Sequence, residues 1–440
     1  MKTKRIVAVI VYALTLTAVA NSFLWLNKTL MFLFLPLFVA MNILPGTLIL
    51  RVRTFRLWVC HHGAVLLTAF IPSALISVAY HLVLAFLTIP ANYMVFVKSA
   101  VFCICVEAIL FWNGMLCIYL ASYRLGVKQR VEAALCGMIP VLNLIVLQKM
   151  LRTVFAEVDA EYARQQYNLK RADQRLCATK YPIVMVHGVC FRDYKFFNYW
   201  GRIPAELKAN GATIYYGKHH SATSIKDSAR ELTDRITEIC RSTGCEKVNL
   251  IAHSKGGLDC RYAIAKCGLK PYVASLTTVN TPHKGCQYAD YLLENITEQT
   301  QQKVGNFYNF AMKRVGDKNP NLLDAVKDLT YEACTAFNEQ IDDPEGIFCQ
   351  SVGSVLKNAA SAKFPMNVSY HVVKLFDGPN DGLVSEPSFQ WGEKYTLVEP
   401  AGEEGISHGD IIDLSRIDVE GFDVREFYVT LVNDLKNRGF

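Results

Sequence analysis

Three residues of this chain have the types and the order needed to attack a carbonyl carbon. Ser254 interrupts the stretch NLIAHSKGG, with only Ala252 and Gly256 two positions away on either side. A strand that turns sharply into a helix needs such small neighbours, and it holds the apical hydroxyl in a strained, accessible conformation. A serine hydroxyl is a weak nucleophile unless a histidine takes its proton and a carboxylate orients that histidine. Downstream, DGPNDGLVS offers Asp377 and Asp381, and the loop EPAGEEGISHGD has a single histidine, His408. The order Ser254, Asp381, His408 is that of one hydrolase architecture and differs from the two common protease orders. Asp381 is preferred because the Asn-Asp-Gly-Leu-Val turn carries it further past a strand predicted at Tyr370–Phe376. Asp377 reads as a turn former bonding local backbone.

An acyl intermediate carries a negative oxygen that needs preorganised donors. The main-chain N–H groups of Lys255 and Val189 are the natural pair, one just after the serine and one just after His187 and Gly188. The Lys255 side chain reads as having no chemical role, since a main-chain donor constrains it weakly. His187, in VHGVCF, ends the first strand at a glycine, where backbone can approach a ligand closely. His253, beside the serine, and His283 read as structural. His219, His220 and His371 have no carboxylate or nucleophile neighbour in the sequence that suggests a role.

These residues need a scaffold. Short apolar strands are predicted at Pro182–Val186, Ala212–Tyr216, Lys247–Ala252, Ser275–Val279, Tyr370–Phe376 and Tyr395–Val398. Helical stretches alternate with them, notably Ser224–Cys240, Gly257–Lys266 and Val424–Asn437. Such alternation argues for a mostly parallel sheet covered on both faces, with sites at the carboxyl ends of its strands. A helical linker is expected over 152–178, with Val154, Val158 and Tyr162 recurring every four residues.

The first 151 residues differ in kind. The 440-residue chain is 52% hydrophobic, and the excess lies in apolar runs at Ile6–Leu26, Leu30–Leu50, Val59–Ile89 and Tyr93–Leu120, each long enough to cross a bilayer. Pro36, Pro45 and Pro72 fall in or near them, as membrane helices tolerate. A fifth run, Val131–Leu151, carries Pro140 and Asn143, and could span, re-enter or lie along the interface. Lys2, Lys4 and Arg5, then Arg51, Arg53 and Arg56, then Arg124, Lys128 and Arg130 would all be cytoplasmic under four alternating spans. Whether the fifth run spans decides the side on which the remainder sits. The net charge of +7 comes without a nucleic-acid motif and is assigned to membrane orientation. No C-x-x-C pair occurs among the 14 cysteines; Cys240 and Cys245 could close a small disulfide or remain free.

Together, YPIVMVHGVCFRDYKFFNYW, IPAEL, NLIAHSKGGLDCRYA, TTVNTPHKGC, AFNEQI, NDGLVS and the ISHGD loop resemble bacterial true lipases of the Pseudomonas and Burkholderia type, in the α/β-hydrolase superfamily. The resemblance covers roughly residues 180–437. It implies an α/β-hydrolase fold at 179–440; the all-α transmembrane region expected at 1–151 is read from the apolar runs alone, which the resemblance does not reach. Ser254, Asp381 and His408 match the family's nucleophile, acid and base, and Val189 and Lys255 its oxyanion donors, with His187, Gly188, Ala252, His253 and Gly256 as elbow and loop support. It also implies a helical lid, at about 286–345, where Tyr288, Tyr291, Leu292 and Ile296 share a helical face. Lys255 stands where the family commonly has Gln or Met. Relatives often hold a calcium through two aspartates. Asp410 matches one position, but no Asp or Glu occurs between Glu345 and Asp377 for the other, so neither metal nor cofactor is expected. The implied activity is hydrolysis of carboxylic esters of lipids by a multi-pass protein of the bacterial cytoplasmic membrane. Acyl transfer, head-group deacylation and a non-catalytic membrane sensor are the alternatives.

Overall fold

The structure is a computed structural model describing all residues except 1, 27, 45–53, 138, 140, 190–197, 221, 315–319 and 365. For 2–4, 28–29, 31, 91 and 311–312 only the backbone is described. Pro45, Arg51, Arg53, Pro140 and the end of the second apolar run therefore lie outside the described residues. The chain divides into two compact units, Met1–Tyr167 and Asn168–Phe440.

The first unit is helical: α1 (Lys2–Ala20), α2 (Lys28–Ile43), α3 (Phe55–Ala121), α4 (Val127–Cys136) and the start of α5 (Leu142–Lys170). At Asn92, two residues after Pro90, the backbone of α3 leaves helical geometry, with φ −158° and ψ 90°. The two arms, Phe55–Pro90 and Asn92–Ala121, are each long and apolar enough to cross a membrane. At 1.5 Å per residue the first arm is about 54 Å long, well beyond a hydrocarbon core of roughly 30 Å.

Polar residues tie these helices at identifiable levels. Arg5 makes a two-pronged ion pair with Asp159. The neighbouring Glu157 accepts from Arg56 and Ser122 at 2.6 Å each, and from the main-chain N–H of Tyr123 and Arg124. The start of α1 and both outer ends of α3 therefore meet at one end of the unit. Towards the middle, Glu107 is buried and accepts from Ser73 and Ser77 at 2.9 Å each, across the two arms of α3. The fifth apolar run does not form one helix: its first part lies on α4 and its last part on α5, which continues into the predicted linker and stops at Lys170 rather than running to 178.

The second unit is built on a six-stranded parallel sheet in the order β2-β1-β3-β4-β5-β6. The strands are β1 (Ile183–Val186), β2 (Ile214–Tyr216), β3 (Val248–His253), β4 (Val273–Val279), β5 (Phe348–Ser354) and β6 (Lys394–Val398). Alternate side chains serve opposite faces. Ile183, Met185 and Ile251 join a core with α6 (Ile203–Ala209) and α14 (Val424–Asn437). Val184, Val186, Leu250 and Ala252 join another with α7 (Ile225–Thr243) and α8 (Lys255–Lys266). Caps mark α7 as its sequence suggests: the Ser224 hydroxyl accepts from Asp227 N–H, and Gly244 follows the helix at φ 72°. This is the α/β-hydrolase architecture expected for 179–440.

Two assignments are corrected. Tyr370–Phe376 is not a strand but part of the helix α13 (Met366–Asp377). Its β-branched and aromatic residues mimic a strand, yet burial follows a helical spacing, with Tyr370 and Val373 inside and Val368 and Leu375 exposed. The strand in that part of the sheet is β5, FCQSVGS, whose buried polar residues hid it. Gln350 donates to Thr277 Oγ1, and Ser351 donates to the Trp391 carbonyl.

The segment between β4 and β5 forms α9 (Gln287–Asn295), α10 (Glu298–Arg314), α11 (Leu322–Lys327) and α12 (Tyr331–Gln340).

Candidate active site

The register aligns Val186 with Ala252, His253 with Val279, Val279 with Val352, and Ser354 with Val398, so the carboxyl ends of β1, β3, β4, β5 and β6 form one rim. Ser254 stands on that rim between β3 and α8, at φ 56° and ψ −135°. That conformation is strained for a residue with a side chain, and it is the turn the sequence motif requires. Its N–H is held by the Val279 carbonyl at 2.9 Å. The turn closes only because two neighbours lack a Cβ. One on Gly188 would lie 2.7 Å from Ser254 Cβ, and one on Gly256 2.6 Å from the His187 carbonyl oxygen.

Asp381 is fully buried, and each of its oxygens has two partners. Oδ1 accepts from the N–H groups of Leu383 and Val384, at 2.8 and 2.7 Å. Oδ2 lies 2.6 Å from His408 Nδ1 and accepts from Asn280 Nδ2 at 2.6 Å. Two N–H groups on one oxygen orient the carboxylate, and the other oxygen orients the imidazole. Asp381 follows a helix and a turn rather than the predicted strand. Its rim position comes from Leu356, just past β5, whose N–H bonds the Asn380 carbonyl. Asp377 ends α13, its carboxyl raised above the usual range by burial despite N–H groups from Gln287 and Tyr288.

Asn280 is the partner that sequence reading missed. It sits just past β4 at φ 46° and also donates to Ser354 Oγ at 2.8 Å. A positive-φ asparagine at a strand end is the available signal, but only the fold reveals it.

Ser254, His408 and Val189 line one cavity of about 760 Å³. Tyr288, Leu292 and Ile296 line it from α9, Val304 from α10, Leu323 and Val326 from α11, and Met366 and Leu383 from the segment after β5. Tyr291, expected on the same face, instead points outward and packs on Phe376. Among the described lining residues there is no Lys, Arg, Asp or Glu.

Four histidines expected to be structural or without role have defined partners. The His253 Nδ1 is 2.6 Å from the Tyr199 hydroxyl, which in turn accepts from Gly188 N–H. The His253 ring also packs on His408 at 4.4 Å between centroids. Burial, and then the nearby His408, push His253 well below the usual histidine range. His283 is buried between Thr278 and the Trp391 ring, as a structural residue would be.

His219 corrects the sequence reading, because its Nε2 lies 3.5 Å from Asp259 and its ring stacks on His187 at 4.2 Å. His220 likewise has Glu231 beside it. His187 is fully buried and is not among the described residues that line the cavity. The Lys255 side chain is also corrected. It is fully buried and paired with Asp259 at 2.7 Å.

The Asp410 carboxylate is taken by the Ser407 hydroxyl and N–H. Among the described residues, no three His, Cys, Asp or Glu side chains gather to hold a metal ion. Cys240 and Cys245 are free thiols.

A family model described as palmitoyl protein thioesterase matches residues 182–322. A triacylglycerol lipase of Pseudarthrobacter phenanthrenivorans is 38% identical over 121 residues, 26% of this chain and 37% of that protein. Triacylglycerol lipase 2 of Saccharomyces cerevisiae is 29% identical over 267 residues, 55% of this chain and 74% of that protein. The crystal structure of Staphylococcus hyicus lipase has a TM-score of 0.46 and 18% identity, over 59% of this chain and 97% of that one. The chain spans about a third of the length of the first curated relatives it matches.

Proposed function

We propose that this chain is a membrane-anchored serine hydrolase that cleaves carboxylic ester bonds of lipids. The observation that carries the reading is the strained Ser254 opening, together with His408, onto a cavity whose described lining residues carry no charge, with Asp381 Oδ2 2.6 Å from His408 Nδ1. His408 takes the Ser254 proton as the hydroxyl attacks the ester carbonyl, and Asp381 orients and stabilises the imidazolium that forms. The main-chain N–H groups of Val189 and Lys255 hold the oxyanion. The alcohol leaves with the proton from His408, and water then releases the fatty acid through the same base. The apolar side chains among the described lining residues favour an acyl chain. The triacylglycerol lipases among the relatives support this substrate class.

The meeting of Arg5, Arg56 and Arg124 at the Asp159 and Glu157 end supports a cytoplasmic face there, with α1, α2 and the two arms of α3 crossing alternately. The division of the fifth run between α4 and α5 supports a second unit on the cytoplasmic side. A cysteine introduced on its surface would then be labelled by an impermeant reagent only after lysis; labelling in intact cells would reverse this topology.

Detergent-solubilised wild type should label with a fluorescent phosphonate and hydrolyse p-nitrophenyl esters, and Ser254→Ala and His408→Ala should abolish both. The family model makes a palmitoyl thioester the second substrate to test, because the acyl-enzyme is common to both chemistries. Faster turnover of the thioester than of a matched oxyester would replace the ester reading. A folded wild type that neither labels nor turns over would leave a ligand-binding module.

A further inference from the structure

Beneath the elbow lies a buried polar chain that the proposed reaction does not use. Lys255 Nζ contacts Asp259 Oδ1 at 2.7 Å, one turn along α8, and donates to Ser228 Oγ on α7 at 3.0 Å. Asp259 Oδ2 lies 3.5 Å from His219 Nε2, and the His219 ring stacks on His187 at 4.2 Å and 7°. His187 Nδ1 bonds the Gly188 carbonyl oxygen at 3.0 Å, one residue before Val189. The route therefore begins at one main-chain donor of the oxyanion site and ends beside the other. Asp328 also faces Lys255, its carboxylate accepting from Ile225 N–H. Burial pushes the Asp259 carboxyl up to about 6, against the pull of Lys255 and His187.

A buried ion pair adds little stability over an apolar pair of the same volume, but it fixes the atoms it joins. We propose that Lys255 and Asp259 are positioning residues, which hold the Lys255 and Val189 N–H groups at the spacing the oxyanion requires. This rests on the proposed hydrolase reading and concerns only how its two donors are held. The Lys255 side chain acts through geometry and touches no substrate.

The test compares the full-length, solubilised wild type with Lys255→Met/Asp259→Leu, using p-nitrophenyl butyrate. Removing both partners strands neither charge of the pair, and Asp328 keeps the Ile225 N–H, so the variant should melt within a few degrees of wild type. A lost oxyanion donor costs about 100- to 1,000-fold in kcat, and a misplaced one should cost about tenfold or more, with KM within about twofold. A second variant, His219→Phe, keeps a ring against His187 but removes the contact with Asp259, and should also lower kcat selectively. It decides the matter if the double variant does not fold. A folded double variant with kcat within about twofold of wild type overturns the proposal, as does an unchanged kcat in His219→Phe. Phosphonate labelling of wild type but not of Ser254→Ala separates these outcomes from a failure of the hydrolase reading, which would remove the proposal as well.

Discussion

Replacing Asp381 by Asn tests the relation between the carboxylate and His408 with almost no change in volume. The structure dictates how the new amide must sit. If its NH2 group took the Oδ1 position, it would face the N–H groups of Leu383 and Val384, donor against donors, at 2.7 to 2.8 Å. The NH2 therefore turns to the Oδ2 position and donates to His408 Nδ1, while the Asn280 amide, 2.6 Å away, rotates to accept. His408 is then held as the tautomer that carries its proton on Nε2, and it can no longer accept the proton of Ser254. The same substitution in a serine protease triad lowers kcat by about 10,000-fold. A drop of about 1,000- to 10,000-fold is expected here, or about 4 to 5.5 kcal/mol in the barrier at 1.36 kcal/mol per tenfold. KM should change little, because Asp381 does not line the cavity. The assay is steady-state hydrolysis of p-nitrophenyl butyrate, with Asp377→Asn as the control expected to stay within about threefold of wild type. An Asp381→Asn variant that keeps kcat within tenfold of wild type, or an Asp377→Asn variant that loses it, would refute this account of the base.

Gly188→Ala should lower kcat about 100-fold or more without unfolding the protein, because its methyl would lie 2.7 Å from Ser254 Cβ and 3.1 Å from the His253 carbonyl oxygen; phosphonate labelling rates give the check. Burial, then Arg261 and Lys284, hold His283 well below its usual 6.5, so below about pH 6.5 the unfolded chain takes a proton that the folded one refuses. Stability should therefore fall by about 1.4 kcal/mol per pH unit per such histidine as pH drops, and urea titrations of His283→Gln should show one such slope removed. Glu157→Ala leaves Arg56, Ser122 and two main-chain N–H groups without their acceptor, and should cost about 3 to 5 kcal/mol; thermal unfolding in detergent would detect it.

The elbow was legible because its requirements are local: small residues around Ser254, an apolar strand before and a helix after. His408 was legible as the one histidine in a loop after a real strand. Asp381, which lies 2.6 Å from His408, was chosen from a wrong neighbour, since the segment before it is a helix and the strand that sets its height is β5. That strand escaped notice because Gln350, Ser351 and Ser354 are buried through cross-strand and loop hydrogen bonds, which hydropathy cannot reveal. Asn280 and His219 were illegible for a related reason: each takes its meaning from a partner on another element, and neither charge nor spacing along the chain announces such a contact. Lys255 and Asp259 stand four apart on α8, a spacing the sequence does show, but not that the pair is buried.

The groups at the strand ends and the walls of the cavity come from different stretches of chain. Ser254 and Asn280 follow β3 and β4 directly and His408 lies in the loop after β6, whereas much of the wall comes from α9, α10 and α11, inserted between β4 and β5. An inserted segment can lengthen, shorten or change its side chains while the strand ends keep their register. Under the proposed hydrolase reading, acyl-chain preference can drift under selection without disturbing proton transfer. Exchange of residues 287–340 between related chains is accordingly a route to new specificities that leaves the reacting atoms where they are.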